Sequence, residues 1–206
     1  RNTEVEYFPV GEDKFASMIK ELEKAEKFIF MEYFIVEEGI MWDTILEILK
    51  RKVNEGVEVR FMYDGMCAFD LLPYSYPKKL QKFGIKCKMS NKIRPFVSTI
   101  QNNRDHRKIC VIDGQTGYVG GVNLADEYIN EKARFGHWKD TGVRLLGEGV
   151  FNLTIMFLEM WNAFREPETD FKAFDSHRWH PEPFESDGYV VPYSDTPLDF
   201  EELEEI

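Results

Sequence analysis

The sequence predicts an α/β fold in which helices flank a mixed, mostly parallel sheet, as an α/β/α sandwich. Segments with the apolar spacing of helices alternate along the chain with short apolar runs typical of strands. Strands joined through helices usually lie parallel in one sheet, with the helices packed on its faces. With 206 residues, 43% of them hydrophobic, the chain is long enough for one sizeable core, so we predict a single globular domain.

The first half of the chain predicts β-α-β units. Apolar residues at helical spacing are followed by a short run rich in aromatic and β-branched residues, which is typical of a buried strand. Gly56 and Gly84 each follow a helical pattern and favour its end. The predicted elements are, in order, helix 15–22, strand 27–36, helix 40–53, strand 57–63, helix 76–83 and strand 85–89.

The second half predicts an antiparallel hairpin, a strand and a last helix. The turn sequence Asp113-Gly114 separates two apolar segments, 108–112 and 117–120, and this arrangement is typical of a hairpin. A strand over 141–146 and a helix over 150–164 follow. From Pro181 onward prolines, acids and turn residues dominate, so we expect a domain over 1–180 and an acidic linker or extension over 181–206, leading toward a second half.

Charge is distributed unevenly along the chain. The net charge is -11, but residues 182–206 hold nine acids and no Lys or Arg, and subtracting those nine leaves -2. In contrast, residues 78–108 carry ten basic residues and the single acid Asp105. This positive charge lies before and within the motif described below, where an anionic substrate would arrive.

Membrane-spanning and disulfide-rich classes are not favoured. No stretch approaches the roughly 20 consecutive apolar residues of a membrane-spanning helix, so we expect the chain itself to be soluble. The chain starts at Arg1 without a start methionine or secretory signal, and we expect any anchoring segment to precede it. Its three cysteines are widely spaced and fit reduced thiols in a cytosolic compartment.

The residues with the clearest chemical potential surround the predicted hairpin. His106 and Lys108 are two apart and should project from the same face of a strand. The hairpin then returns the chain, which brings Gly121 and Asn123 back beside them. Glycine permits close backbone approach to a ligand, and Asn123 offers an amide donor. The pattern predicts an anion site that contains a nucleophile.

These residues also carry a resemblance to a known family. The spacing His106-x-Lys108-x4-Asp113, followed by Gly120-Gly121-x-Asn123, resembles the histidine-lysine-aspartate motif of the phospholipase D superfamily. Over nearly the whole chain, further segments resemble bacterial cardiolipin synthases, namely Phe30–Ile35, Glu55–Arg60, Tyr63–Gly65, Asn103–His106, Phe135–Thr141 and Val191–Leu198. The resemblance implies a phospholipase D-like α/β/α fold.

The resemblance also implies roles for individual residues. His106 would be the nucleophile, or else the acid-base partner. Lys108, Asn123 and Gly121 would bind the substrate phosphate and stabilise charge that develops on its oxygens. Asp140 matches the acidic position that orients the histidine through its second ring nitrogen.

Three further positions are less clearly assigned. Asp113 is the third residue of the motif and is a catalytic candidate with His106 and Lys108, but its place also fits a structural role as the cap of the hairpin turn. Glu32, an acid within an apolar strand, lies either near the site as a supporting residue or is paired elsewhere. At Gly142 the family often has a histidine, so this chain departs from the pattern there.

The function implied is that of one catalytic half of a cardiolipin synthase. Such an enzyme transfers a phosphatidyl group between two phosphatidylglycerol molecules through a phosphohistidine intermediate and releases glycerol, with no cofactor and no metal. Expected partners are phosphatidylglycerol, other anionic phospholipids and a second phospholipase D-like half. The parent protein would lie at a bacterial cell membrane with this domain on the cytoplasmic side. With one motif instead of two, the isolated half should turn over little.

Two alternatives remain open at this point. A single-motif chain can be a phosphodiesterase or nuclease that completes its site as a homodimer, although we do not expect nucleic acid as a partner. The other alternative is a non-catalytic lipid-binding module that kept the fold. We interpret His137, His177 and His180 as packing or loop residues.

Overall fold

The structure is a computed structural model that describes residues 2–67, 71–90, 105–134, 136–163, 171–175 and 188–193. Two short 3-10 helices span Asp126–Ile129 and Phe171–Phe174. The predicted linker lies mostly outside the described residues, as do His177 and His180. The strands are β1 (Thr3–Phe8), β2 (Phe28–Tyr33), β3 (Glu58–Asp64), β4 (Lys86–Ser90), β5 (Ile109–Ile112), β6 (Thr116–Gly120) and β7 (Gly142–Gly147), and the helices are α1 (Gly11–Glu23), α2 (Ile40–Asn54), α3 (Tyr76–Gln81) and α4 (Val150–Ala163).

The described strands form one mixed sheet in the order β1-β7-β6-β5-β2-β3-β4. Only β2 with β3 and β3 with β4 pair in parallel, and the other four pairings are antiparallel. The α/β class is confirmed, but the prediction of a mostly parallel sheet is wrong. The parallel pairs belong to the β-α-β units. In contrast, β5 pairs antiparallel with the other edge of β2. β6 then pairs antiparallel with β5, and β7 pairs antiparallel with β6.

The sequence analysis did not find β1. This edge strand pairs antiparallel with β7, with Thr3 opposite Gly147 and Phe8 opposite Gly142. Its four central residues are exposed, so it lacks the buried face that identifies a strand in a sequence. Besides the backbone ladder, Arg144 of β7 pairs with Glu6 at 3.1 Å.

Two hydrophobic clusters cover the two faces of the sheet. One face packs against α1 and α2, and its β2 contribution includes Met31 and Tyr33. The other face packs against α4, and its β2 contribution includes Phe28 and Phe30. Because side chains alternate along a strand, neighbouring residues of β2 and β5 face different helices. We call these the α1 face and the α4 face.

Within the described residues, no helix is both long and apolar enough to cross a membrane.

Candidate functional site

His106 and Lys108 lie in the extended segment that leads into β5, and both contact the ring of Phe34. The ring centroids of His106 and Phe34 are 4.8 Å apart, and the Lys108 ammonium lies 5.1 Å from the Phe34 centroid. Phe34 directly follows β2, the strand that pairs with β5. The structure therefore brings an imidazole and an ammonium together at one strand end.

The two groups differ in exposure and share a shift in pKa. His106 is exposed, whereas Lys108 is buried and its ammonium donates to the His106 carbonyl. Partial burial and the Lys108 charge lower the pKa of His106 from 6.5, against the opposite effect of Asp105 and Asp140. Burial lowers the pKa of Lys108 to about 8, although the same two carboxylates counteract it. At neutral pH a mostly neutral imidazole thus lies beside a mostly protonated ammonium.

Asn123 is buried and ties the site to the end of β2. Its carbonyl oxygen accepts the backbone N–H of Ile35 at 2.9 Å, and its amide nitrogen donates to the Tyr128 hydroxyl at 2.8 Å. These bonds hold the segment after β6 against the segment that carries Phe34. The amide nitrogen carries two hydrogens, and its bond to Tyr128 uses one of them.

Asp140 and Gly121 are in direct contact. A Cβ atom on Gly121 would collide with the Asp140 carboxylate, so glycine is the residue that leaves room for it. The carboxylate accepts the N–H of Thr141 at 2.8 Å, and no hydrogen bond joins it to the His106 ring, both residues being described. Asp140 acts on His106 through its charge. The orienting hydrogen bond that the resemblance implies stays a prediction.

Asp113 lies at the other end of β5 from His106. Its carboxylate accepts the backbone N–H groups of Glu26, Lys27 and Phe28, each at 2.8 Å. Its φ of 54° is in the left-handed region, which asparagine and aspartate tolerate better than most residues. Asp113 thus caps the start of β2, the strand that pairs with β5. The structure does not bring Asp113 close to His106.

Glu32 lies on the α4 face, on the other side of the sheet from Lys108. Arg107 joins it to Asp105, with nitrogen–oxygen distances of 3.0 Å to Glu32 and 2.9 Å to Asp105. Burial, and then a hydrogen bond with Asp105, raise the pKa of Glu32 well above its ordinary value. Burial alone would raise the pKa of Asp105, but hydrogen bonds from Glu32 and Arg107 lower it. One guanidinium therefore pairs with two buried carboxyl groups, and the pKa values of the two acids are shifted in opposite directions.

Phe34 and Lys14 also belong to this site, although neither was predicted from the sequence. Phe34 lies inside the apolar run 27–36 and gave no separate signal. Lys14 did have one, because it lies four residues before Met18 and eight before Leu22, which places it on the buried stripe of α1. It is 1% exposed, and its electrostatic neighbours include Lys108 and Asp140.

Chemically, the cluster offers a nucleophile and cations. The lone pair of an exposed neutral imidazole can attack phosphorus, and the adjacent ammonium can stabilise charge on non-bridging phosphate oxygens. Among the described residues, no group of three or more His, Cys, Asp or Glu side chains is arranged to hold a metal ion.

Comparison with solved structures supports the fold. NucT from Helicobacter pylori superposes with a TM-score of 0.59 at 14% identity, over 78% of this chain and 96% of NucT. The phosphatidylserine synthase of Haemophilus influenzae gives 0.58 at 15% identity, over 84% of this chain and 41% of that chain. The phospholipase D family member Nuc from Salmonella typhimurium gives 0.53 at 16% identity, over 78% of this chain and 93% of Nuc. At these identities the likeness shows a shared fold alone.

Comparison with protein sequences gives much higher identities. An uncharacterized protein of Streptococcus mutans is 55% identical over 205 residues, which are 100% of this chain and 44% of that protein. A cardiolipin synthase of Geobacillus kaustophilus is 41% identical over 152 residues, 73% of this chain and 30% of that enzyme. One of Oceanobacillus iheyensis is 38% identical over 162 residues, 79% of this chain and 34% of that enzyme. The chain thus spans less than half the length of these relatives.

A family model described as "Cardiolipin synthase, PLD-like domain" matches residues 18–133, which include β2 to β6 and His106, Lys108 and Asn123. The match covers more than half of the chain, and the cardiolipin synthases above extend over most of it. The chain therefore belongs to the phospholipase D-like family of cardiolipin synthase domains.

Proposed function

We propose that this chain is one catalytic half of a cardiolipin synthase-type phosphatidyltransferase, with His106 in its active site. The observation that carries this proposal is the exposed His106 ring beside the buried Lys108 ammonium, in a chain of this family. A histidine with a raised pKa would be protonated and could not attack phosphorus. The lowered pKa leaves its lone pair available at neutral pH.

The proposed reaction has two displacement steps. In the first, a ring nitrogen of His106 attacks the phosphorus of one phosphatidylglycerol, an N–P bond forms, and the P–O bond to the headgroup glycerol breaks. In the second, a glycerol hydroxyl of another phosphatidylglycerol attacks the phosphorus, loses its proton to a base and breaks the N–P bond. The products are one cardiolipin and one glycerol. Lys108 and the amide of Asn123 stabilise the oxygens in both steps.

The first step needs a proton for the departing glycerol alkoxide. His106 cannot supply it while its lone pair attacks, so a second acid is required. We propose that a second phospholipase D-like half of the same protein provides this acid, in keeping with the share of the relatives that this chain spans. The acidic region over 181–206 would lead toward that half.

The proposed substrates place the whole protein at a membrane surface. Phosphatidylglycerol is an anionic lipid, and the basic residues over 78–108 would attract its headgroup. We propose that this domain lies on the cytoplasmic side of a bacterial membrane.

The test is a lipid-product assay on the whole protein, with phosphatidylglycerol vesicles as substrate. His106→Ala should abolish the formation of cardiolipin and glycerol, whereas His137→Ala, at an exposed histidine that contacts none of the site residues described above, should not. The isolated 206-residue chain should give little product. Unchanged cardiolipin formation by His106→Ala would refute the proposal.

A second candidate is a phosphodiesterase that completes its site by pairing two copies of this chain. It is favoured by the nearly complete overlap with NucT and Nuc, of which this fold covers 96% and 93%. Efficient cleavage of a phosphodiester by the isolated chain, dependent on its dimerisation, would support this candidate against the first.

A further inference from the structure

Lys14 is a buried cation that the proposed mechanism does not yet use. It lies in the first turns of α1, and only 1% of it is exposed. Lysine is rarely buried to this extent unless it is paired, because removing an ammonium from water is costly. Its position near Lys108 and Asp140 connects it with the site.

The bare backbone of Gly142 makes room for this side chain. A Cβ atom at position 142 would lie 2.6 Å from Cδ of Lys14 and 3.0 Å from its Cγ. Such distances are too short for ordinary contacts, so a side chain at position 142 would displace Lys14. The absence of a side chain at position 142 and the burial of Lys14 are therefore two aspects of one arrangement.

The Lys14 ammonium is poorly paired. Its hydrogen bond is with the carbonyl of Val122 at 3.5 Å, and it lies 5.8 Å from the centroid of the Tyr33 ring. Within the described residues no carboxylate comes within ion-pairing distance. The Val122 carbonyl belongs to the segment between Gly121 and Asn123, so the bond reaches the backbone that would surround a bound phosphate.

We propose that Lys14 is a positioning residue of the anion site: it holds the Val122 carbonyl, and with it the segment that carries Gly121 and Asn123, and adds a second buried positive charge behind Lys108. This inference rests on the proposed function, because it assumes that an anion binds at His106 and Lys108. At low effective dielectric, a second buried charge that interacts electrostatically with Lys108 and Asp140 also attracts the anion.

The charge of Lys14 should depend on pH. Burial lowers the pKa of Lys14 to about 8, so its ammonium is mostly present at neutral pH and is lost as the pH rises through that value. The groups that face it are Lys108, the Asp140 carboxylate, Cys110 and Tyr33. Burial raises the pKa of Cys110 to about 12 and that of Tyr33 well above its ordinary value, so neither ionises over the same range.

The experiment measures sulfate binding to the 206-residue chain by titration calorimetry, because sulfate does not change its charge in this pH range. Lys14→Met should weaken binding about tenfold at neutral pH, the scale of one lost hydrogen bond to a charged group. The ratio of the two dissociation constants should fall toward one as the pH rises past about 8. Lys20→Met, an exposed lysine of the same helix, is the control and should bind as the wild type does.

A second pair of variants makes the test independent of whether the Lys14→Met variant folds. Gly142→Ala should weaken sulfate binding in the wild-type background, because it displaces Lys14, and should have no further effect in a Lys14→Ala background, where the space is empty. Circular dichroism confirms that each variant is folded.

The outcomes separate this inference from the proposed function. If the wild type binds sulfate, Lys108→Met loses binding, and both Lys14→Met and Gly142→Ala bind normally, Lys14 is a core residue and the inference is wrong while the site stands. If the wild type binds no sulfate, the anion site itself is refuted, and with it both proposals.

Discussion

The segment 105–108 has two sides with opposite electrostatic character. On the α4 face, Asp105, Arg107 and Glu32 form a closed cluster in which one guanidinium pairs with two carboxyl groups. On the α1 face, Lys108 has no carboxylate within ion-pairing distance among the described residues. Lys108 and the exposed His106 also have lowered pKa values. Paired charges stabilise the fold, whereas underpaired ones are available to a ligand.

The largest expected effect is on the underpaired side. Lys108→Met should reduce cardiolipin formation by about a thousandfold, because one charge that stabilises the transition state is lost. The free energy of unfolding should change by less than about 1 kcal/mol, since Lys108 forms no ion pair within the described residues and the carbonyl that it contacts belongs to the exposed His106, where water can replace it. Steady-state kinetics and urea unfolding test the two parts, with the exposed Lys24→Met as the control. A large loss of stability would show that Lys108 is structural.

The second prediction concerns the paired side, where the expected loss is in the stability of the chain. Arg107→Met leaves Glu32 and Asp105 buried without their cation and should destabilise the chain by about 3 kcal/mol. Urea unfolding measures this effect. Arg51→Met, which breaks an exposed pair with Glu23, should have little effect. Equal effects of the two arginines would remove the distinction between the two sides.

The third prediction separates Asp113 from the site. Asp113→Ala should destabilise the chain by about 2 kcal/mol, because the N–H groups of Glu26, Lys27 and Phe28 lose their acceptor. Asp113→Asn keeps one acceptor oxygen and should cost less. Sulfate affinity, measured on the folded fraction, should stay unchanged. A loss of affinity in a stable Asp113→Asn variant would instead place this residue in the site.

The smallest expected effect concerns pH. The folded-state pKa of Glu32 is raised well above 4.5, so the folded chain holds a proton that the unfolded chain loses, and its stability falls as the pH rises above 4.5. Glu32→Gln removes this loss and should stabilise the chain by about 1 kcal/mol at neutral pH. The gain should vanish below pH 4.5. Thermal unfolding across this range measures it, and a destabilised variant at neutral pH would contradict the raised pKa of Glu32.

Much of the fold was predictable because its signals are local. The β-α-β units, the hairpin at Asp113-Gly114 and the last helix follow from periodicity and turn residues. The direction of the strands could not be predicted from the sequence, since the position of β5 beside β2 depends on contacts between distant segments. The exposed edge strand β1 lacked a buried face.

In the candidate site, too, the local features were predictable from the sequence and the contacts between distant segments were not. The spacing of His106 and Lys108 in the extended segment before β5 is a local signal, and so is the glycine pair, Gly120 and Gly121, that comes before Asn123. Lys14 was missed because its contact with Gly142 joins residues far apart in the sequence, although its place on the apolar stripe of α1 was visible. Asp113 was assigned to the motif by spacing, but its partners lie at the start of β2.

The most direct test of the account is a nuclear magnetic resonance titration of the His106 ring in the isolated chain. The account predicts a pKa below 6.5, and at neutral pH a shift of the ring signals on addition of phosphate that Lys108→Met abolishes. A pKa at or above 6.5, together with ring signals that do not respond to phosphate, would contradict it.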